Sequence, residues 1–169
     1  MCRRISECMG SCHVAECMSQ VQASELHGLG AFARTRIAAG TILGGYPGRP
    51  RLPIDMRAKC EQAPRAVEYA MQIPEWRGGG YLDPTDASGD PSGYPQPGLP
   101  WPVDINIILT RVNEPPPGRT TNVRIEDGRS AADMLFVTTS EVMEGEELFI
   151  DYGTDYNRSG YNIAPKFGN

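Results

Sequence analysis

Gly145-Glu146-Glu147-Leu148-Phe149-Ile150-Asp151-Tyr152-Gly153-Thr154-Asp155-Tyr156 is the stretch on which the reading of the whole chain turns. Glu144 and Gly145 predict a tight turn, because glycine enters the left-handed region without a Cβ penalty. Leu148, Phe149 and Ile150 form an apolar run too short for a helix and rich in strand formers, so it predicts a strand. That strand runs into Asp151-Tyr152-Gly153, and a second phenol, Tyr156, follows closely. Taken alone, the pattern also fits any buried strand that ends in a tyrosine whose hydroxyl finds a backbone partner. Glu146 and Glu147 read as solvated turn charges rather than acid–base groups.

The chain has 169 residues, enough for one domain with a hydrophobic core. Charged residues make up 22% and the net charge is -5, the composition of a soluble, mildly acidic protein. An acidic face suits a basic protein substrate and gives no non-specific pull toward nucleic acid or an anionic membrane. The 19 glycines and 15 prolines argue for short strands and many turns rather than a helical bundle. No apolar run approaches the roughly 20 residues that span a bilayer. Met1-Cys2-Arg3-Arg4 is basic, but no apolar segment follows, so no secretory signal is expected and the expected location is cytoplasmic or nuclear. The sequence has no internal repeat.

Cys2, Cys8, Cys12 and Cys17 crowd the first segment and Cys60 stands alone. Without a secretory signal, disulfides are not expected. Four thiols and His13 could bind zinc, yet the spacings lack a paired Cys-x-x-Cys knuckle, so no metal is expected and a reduced tail or short helix is the preferred reading.

Ser19 to Ala23 predicts a first strand. Gly28 and Gly30 then bracket Leu29 in a turn that lets backbone approach a ligand closely. A lone Gly-x-Gly lacks the third glycine and following helix of a dinucleotide loop, so backbone amides and carbonyls, not a helix dipole, would meet the bound group. Ala31 to Ile37 and Thr41 to Tyr46 predict strands. Pro53 to Tyr69 predicts a helix interrupted near Pro64. Glu68 to Ile73 alternates as a strand does, and Tyr81-Leu82-Asp83 reads as its partner across three glycines. Asp86 to Pro102 reads as a long surface loop, or a loop ordered only by a partner. Asp104 predicts the cap of a short buried helix from Ile105 to Val112, ended by Pro115, Pro116 and Pro117. Thr121 to Ile125 and Met134 to Thr139 predict strands, with a turn at Glu126-Asp127-Gly128.

Three segments in this order carry a resemblance. They are His27-Gly28-Leu29-Gly30-Ala31-Phe32-Ala33, Arg111-Val112-Asn113-Glu114 with Asn122-Val123 downstream, and Gly145 through Gly153. Together with Ile37-x-x-Gly40-Thr41, the combination resembles the SET-domain family of S-adenosylmethionine-dependent protein lysine methyltransferases. The resemblance covers roughly residues 19–157. It divides the chain into a cysteine-containing segment (1–18), the SET-like domain (19–157) and a tail (158–169).

The resemblance implies a mostly β fold with short helices, of the β-clip type, in which small curved sheets surround a C-terminal pseudoknot. It implies that the backbone of Gly28, Leu29 and Gly30 lines the methionine end of S-adenosyl-L-methionine. Asn113 and Glu114 would hold its amino-acid and adenine portions. Tyr152 matches the active-site tyrosine. Tyr156 and Tyr69 would line the channel for the target lysine. Ile150, two residues before that tyrosine, would help set how many methyl groups are added, with Phe149 taking this place if the strand bulges. The implied partner is a protein, such as a histone, with an accessible lysine; neither direct nucleic-acid binding nor a membrane is expected.

The sequence departs from the family at several points. The family's Asn-His-Ser-Cys reads Asn113-Glu114-Pro115-Pro116, which keeps main-chain groups at Glu114 but removes the imidazole. The interval to Asn122 is longer than usual, the cysteine-rich segment after the domain is absent, and the N-terminal cysteines do not reproduce the cluster that precedes the domain in relatives. Tyr161 or Phe167 would have to cover the cofactor in place of the missing segment. His27 reads as a turn residue near the cofactor mouth and His13 as part of the tail. A SET-like binding module without catalysis is the alternative that the Glu114-Pro115-Pro116 departure suggests.

Overall fold

The structure, a computed structural model, describes residues 17–26, 28–91, 107–154 and 156. In chain order the strands are β1 (Ser19–Ala23), β2 (Leu29–Ala33), β3 (Ile42–Gly45), β4 (Arg49–Arg51), β5 (Met71–Gln72), β6 (Tyr81–Asp83), β7 (Val123–Asp127) and β8 (Met134–Thr138). They form three small sheets, ordered β1-β2, β3-β8-β7 and β4-β6-β5. Every pairing within them is antiparallel. The α-helix α1 (Pro53–Gln62) begins on a proline and buries only Met56. Short 3₁₀ turns run over Pro64–Glu68, Trp76–Gly78 and Ile107–Arg111.

One core joins the first two sheets. Ala31 and Ala33 of β2, Leu43 of β3, Val123 of β7 and Phe136 of β8 pack with Leu109, Val112, Leu148 and Ile150. The small alanines of β2 are fully buried and let the chain at Leu148 lie close, with the Leu148 N–H donating to the Ala31 carbonyl at 2.8 Å.

The third sheet is fastened to α1 by charge. Asp83, fully buried on β6, accepts from Arg51 Nε and Lys59 Nζ, each at 2.6 Å, and from the Thr85 hydroxyl at 2.6 Å and amide at 3.0 Å. Lys59 also donates to the Thr85 carbonyl at 2.7 Å. Burial alone would push the Asp83 carboxyl up. The bonds from Lys59, Thr85 and Arg51 outweigh it and hold the carboxyl below its usual value.

Residues 147–150 do not make a regular strand, contrary to the sequence expectation. They make isolated bridges, Phe32 with Glu147 and a parallel one between Asn113 and Phe149. The reason is that successive backbone groups go to different segments. Leu148 N–H bonds to β2, the Phe149 carbonyl accepts from the amides of Asn122 and Val123, and Ile150 N–H donates to Asn113. The segment is thus threaded between β2 and the stretches at Asn113 and Asn122, so no ladder with one partner can grow.

Other expectations shift at their ends. β2 stops at Ala33, and Ile37 makes only an isolated bridge with Val142. β7 continues to Asp127, and the turn lies between Gly128 and Asp133, closed by a 2.7 Å bond from Gly128 N–H to the Asp133 carbonyl. The expected helix before Asn113 is a 3₁₀ turn over Ile107–Arg111, while residues 104–106 lie outside the described residues. Also outside them lie Cys2, Cys8, Cys12, His13, His27, most of the loop to Pro102, Tyr161 and Phe167. Among the described residues, no helix is long and apolar enough to cross a membrane.

Candidate active site

The threaded segment brings the sequence-predicted residues into two adjoining groups. The first lies under the turn between β1 and β2. Gly28 has φ of 51° with open space around it, so its conformation demands glycine. Gly30 is needed for space instead: a Cβ there would stand 2.1 Å from Glu147 Oε1. Asn113 Nδ2 donates to the Leu29 carbonyl at 3.2 Å and to Glu147 Oε1 at 2.9 Å. Ser24 Oγ donates to Glu147 Oε2 at 3.1 Å. Glu147 is therefore no solvated turn charge; it is half-buried and ties Ser24 to Asn113. Glu146 remains exposed and accepts the Met143 N–H at 2.7 Å.

Asn122 clamps the same segment from the other side. Its Oδ1 accepts from the Phe149 amide at 2.7 Å and its Nδ2 donates to the Glu147 carbonyl at 2.9 Å. Leu148 and Ile150 face the core, with Tyr152 packed against it, whereas Phe149 is buried outside that cluster. Of the two residues considered for the channel wall, Ile150 thus shares a side with Tyr152.

The second group is aromatic. The Tyr152 hydroxyl donates to the Val112 carbonyl at 2.8 Å, and its ring lies 4.6 Å from that of Tyr156. Tyr69 accepts from Arg111 at 3.1 Å, whose guanidinium also sits 5.3 Å from the Tyr69 ring centre. A fourth phenol, Tyr46, donates to the Tyr69 carbonyl at 2.7 Å and stacks on Phe136 at 5.5 Å. Burial, then the neighbouring phenols Tyr156 and Tyr69, push its hydroxyl well above the ordinary value, against the opposing charge of Arg111. Tyr46 was missed in the sequence. The available signal was that it too ends a short strand, as Tyr152 ends its segment.

The Glu114 departure is accommodated locally. Its side chain, in place of the family's imidazole, reaches the Tyr152 amide, with Oε1 accepting at 3.3 Å. The Asn113 segment and the tyrosine therefore stay latched together through a carboxylate.

An antiparallel fold of small sheets, threaded so that an Asn-Glu segment lies beside a tyrosine-bearing one, defines the class of protein. A SET-domain profile matches residues 28–153. The chain belongs to the SET-domain family. The methyltransferase domain of human PR domain-containing protein 2 superposes with a TM-score of 0.54 and 17% identity, over 88% of this chain and 82% of that one. Apo Polycomb Repressive Complex 2 of Chaetomium thermophilum gives 0.59 and 18%, over 82% of this chain and 15% of that one. The same complex in an autoinhibited conformation bound to S-adenosylmethionine gives 0.58 and 18%, over 80% and 15%. The chain spans a small part of the length of those complex subunits, and at these identities the likeness is one of fold. No curated protein matches the sequence.

Proposed function

We propose that this chain, through a catalytic unit spanning about residues 19–157, transfers methyl groups from S-adenosylmethionine to a lysine side chain of a protein. The observation that carries the proposal is the junction of the two groups. Asn113 bonds to the glycine turn, and its neighbour Val112 holds the Tyr152 hydroxyl.

The residues present fit the cofactor. Asn113 is 9% exposed, and its Oδ1 accepts no hydrogen bond from the described residues, so a buried acceptor awaits a donor. The Gly28–Gly30 backbone and Asn113 would hold the amino-acid end, and the main chain of Glu114 the adenine. When bound, the cofactor supplies a methyl group on a sulfonium, electrophilic enough that no covalent enzyme intermediate is required. The protein's task is then to align an amine with it and exclude water.

Tyr152 is suited to that task. Its proton is committed to Val112, so its oxygen presents lone pairs only. It can accept an N–H from the target amine and leave the amine's own lone pair directed at the methyl group. Tyr46, Tyr69 and Tyr156 would wall the lysine channel against water, and that desolvation disfavours the ammonium, whose free pKa is about 10.4. Ile150 adds an apolar wall without donor or acceptor, and the expected product is therefore di- or trimethyl-lysine.

Calorimetry with S-adenosylmethionine, followed by methylation of an unbiased peptide array, tests the proposal. Micromolar cofactor binding and lysine methylation are expected. The second reading, a SET-like binding module without catalysis, is favoured by Glu114-Pro115-Pro116 in place of the family's segment. Absence of cofactor binding would overturn the enzyme reading and leave the module.

A further inference from the structure

Both amide hydrogens of Asn113 are turned inward, toward the Leu29 carbonyl and Glu147 Oε1. Rotating the amide by half a turn would set its oxygen against a carbonyl and a carboxylate, two acceptors, which a buried site does not tolerate. The carboxylate is itself held by the Ser24 hydroxyl, in space that a side chain at position 30 would take. Among the described residues no salt bridge includes Glu147, and its carboxylate is held by hydrogen bonds from Ser24 and Asn113. The outcome is an acceptor on a buried residue, Asn113 Oδ1, beside a carboxylate. The group that complements it is a cationic donor.

Resting on the methyltransferase reading, we infer that Glu147 is a positioning residue. It locks Asn113 so that this side chain shows only an acceptor, and it thereby selects the α-ammonium of the methyl donor. Asn113 touches the ligand; Glu147 acts through it.

S-Adenosylhomocysteine keeps the ammonium and lacks the reactive methyl, so calorimetry with it reads binding alone. The comparison ligand is the same molecule without its α-amino group. The full-length protein should prefer the first by about 30-fold, the range of a charge-assisted hydrogen bond. In Glu147→Ala the preference should shrink to about 3-fold, because affinity for S-adenosylhomocysteine falls while that for the deaminated ligand holds. Glu147→Gln keeps an acceptor for Asn113 but loses the charge, and should fall between; it also serves if the alanine variant does not fold. A purely structural role would weaken both ligands alike. Equal loss for both, or an undiminished preference in either variant, overturns the inference. Wild-type protein that binds both ligands equally overturns it while leaving the cofactor reading intact. Wild-type protein that binds neither overturns both.

Discussion

The polar groups around Asp83 and those around Asn113 and Asn122 are satisfied by different chemistry. At the third sheet, Asp83 gathers Arg51, Lys59 and Thr85 around one carboxylate, and charge fastens α1 to β6. At the threaded segment, Asn122 and Asn113 use neutral amides to grip backbone atoms and a single carboxylate. The first arrangement is strong and forgiving, because attraction between charges falls slowly with distance and angle. The second is weaker per contact but directional, because hydrogen bonds lose strength steeply when bent. The directional chemistry lies where Asn113 and Tyr152 must keep register, and the ionic chemistry lies where a helix need only stay attached.

Removing the charge at the third sheet should be the most damaging change. Asp83→Ala leaves Lys59 and Arg51 facing each other without a counter-ion and should lower unfolding free energy by about 3 kcal/mol or more in urea titrations. A loss under about 1 kcal/mol would mean the cluster relaxes into water, and the contrast between the regions would collapse. Tyr152→Phe sharpens the contrast differently. It should cut turnover by on the order of 100-fold, about 2.7 kcal/mol, while cofactor affinity stays within a few-fold. Unchanged turnover would remove Tyr152 from the chemistry.

Asn122→Ala should cost about 2 kcal/mol, because the Phe149 amide and the Glu147 carbonyl lose their partners together. Acid then separates the clusters. The Asp83 carboxyl is held below its unfolded value, so its stabilisation is present above the unfolded pKa of about 3.9 and is lost as pH falls through the folded one. Asn122 has no proton to gain, so its decrement should be the same at pH 7 and pH 3. A wild-type minus Asp83→Asn difference in melting midpoint that does not shrink below pH 4 would contradict the assignment. The smallest effect is expected at the exposed Arg36–Glu141 pair, where Arg36→Ala should leave the midpoint unchanged.

The sequence displayed the fold through local signals that needed no partner. The turn at Gly145, the β1–β2 hairpin, the helix from Pro53 broken at Pro64 and the pairing of β5 with β6 were all readable from composition and spacing. The regular strand expected at Leu148–Ile150 was wrong because alternation of side chains says nothing about how many segments share the backbone bonds. Glu147 was misread for a related reason. Next to Gly145 and Glu146 it has the look of a turn charge, and its partner Ser24 lies 123 residues away. Tyr46 escaped notice because only the folded chain brings it near Tyr69 and Tyr156. The departure at Glu114 was visible, but its bond to the Tyr152 amide depends on the threading and could not be seen in the sequence.

The threading also dictates when the site can exist. Closing the chain between Asn113 and Glu147 spans 34 residues, and between Ser24 and Glu147 it spans 123. The longer closure costs only about 1 kcal/mol more in chain entropy, but it must wait for residues that leave the ribosome late. During synthesis the hairpin, α1 and the third sheet can form first, with a slot beside β2 that nothing yet fills. Contacts of such long range make for slow folding. A nascent chain should therefore dwell with the fully apolar flank of β2 uncovered until Leu148 arrives, an interval in which a chaperone or a second nascent chain could compete for the slot.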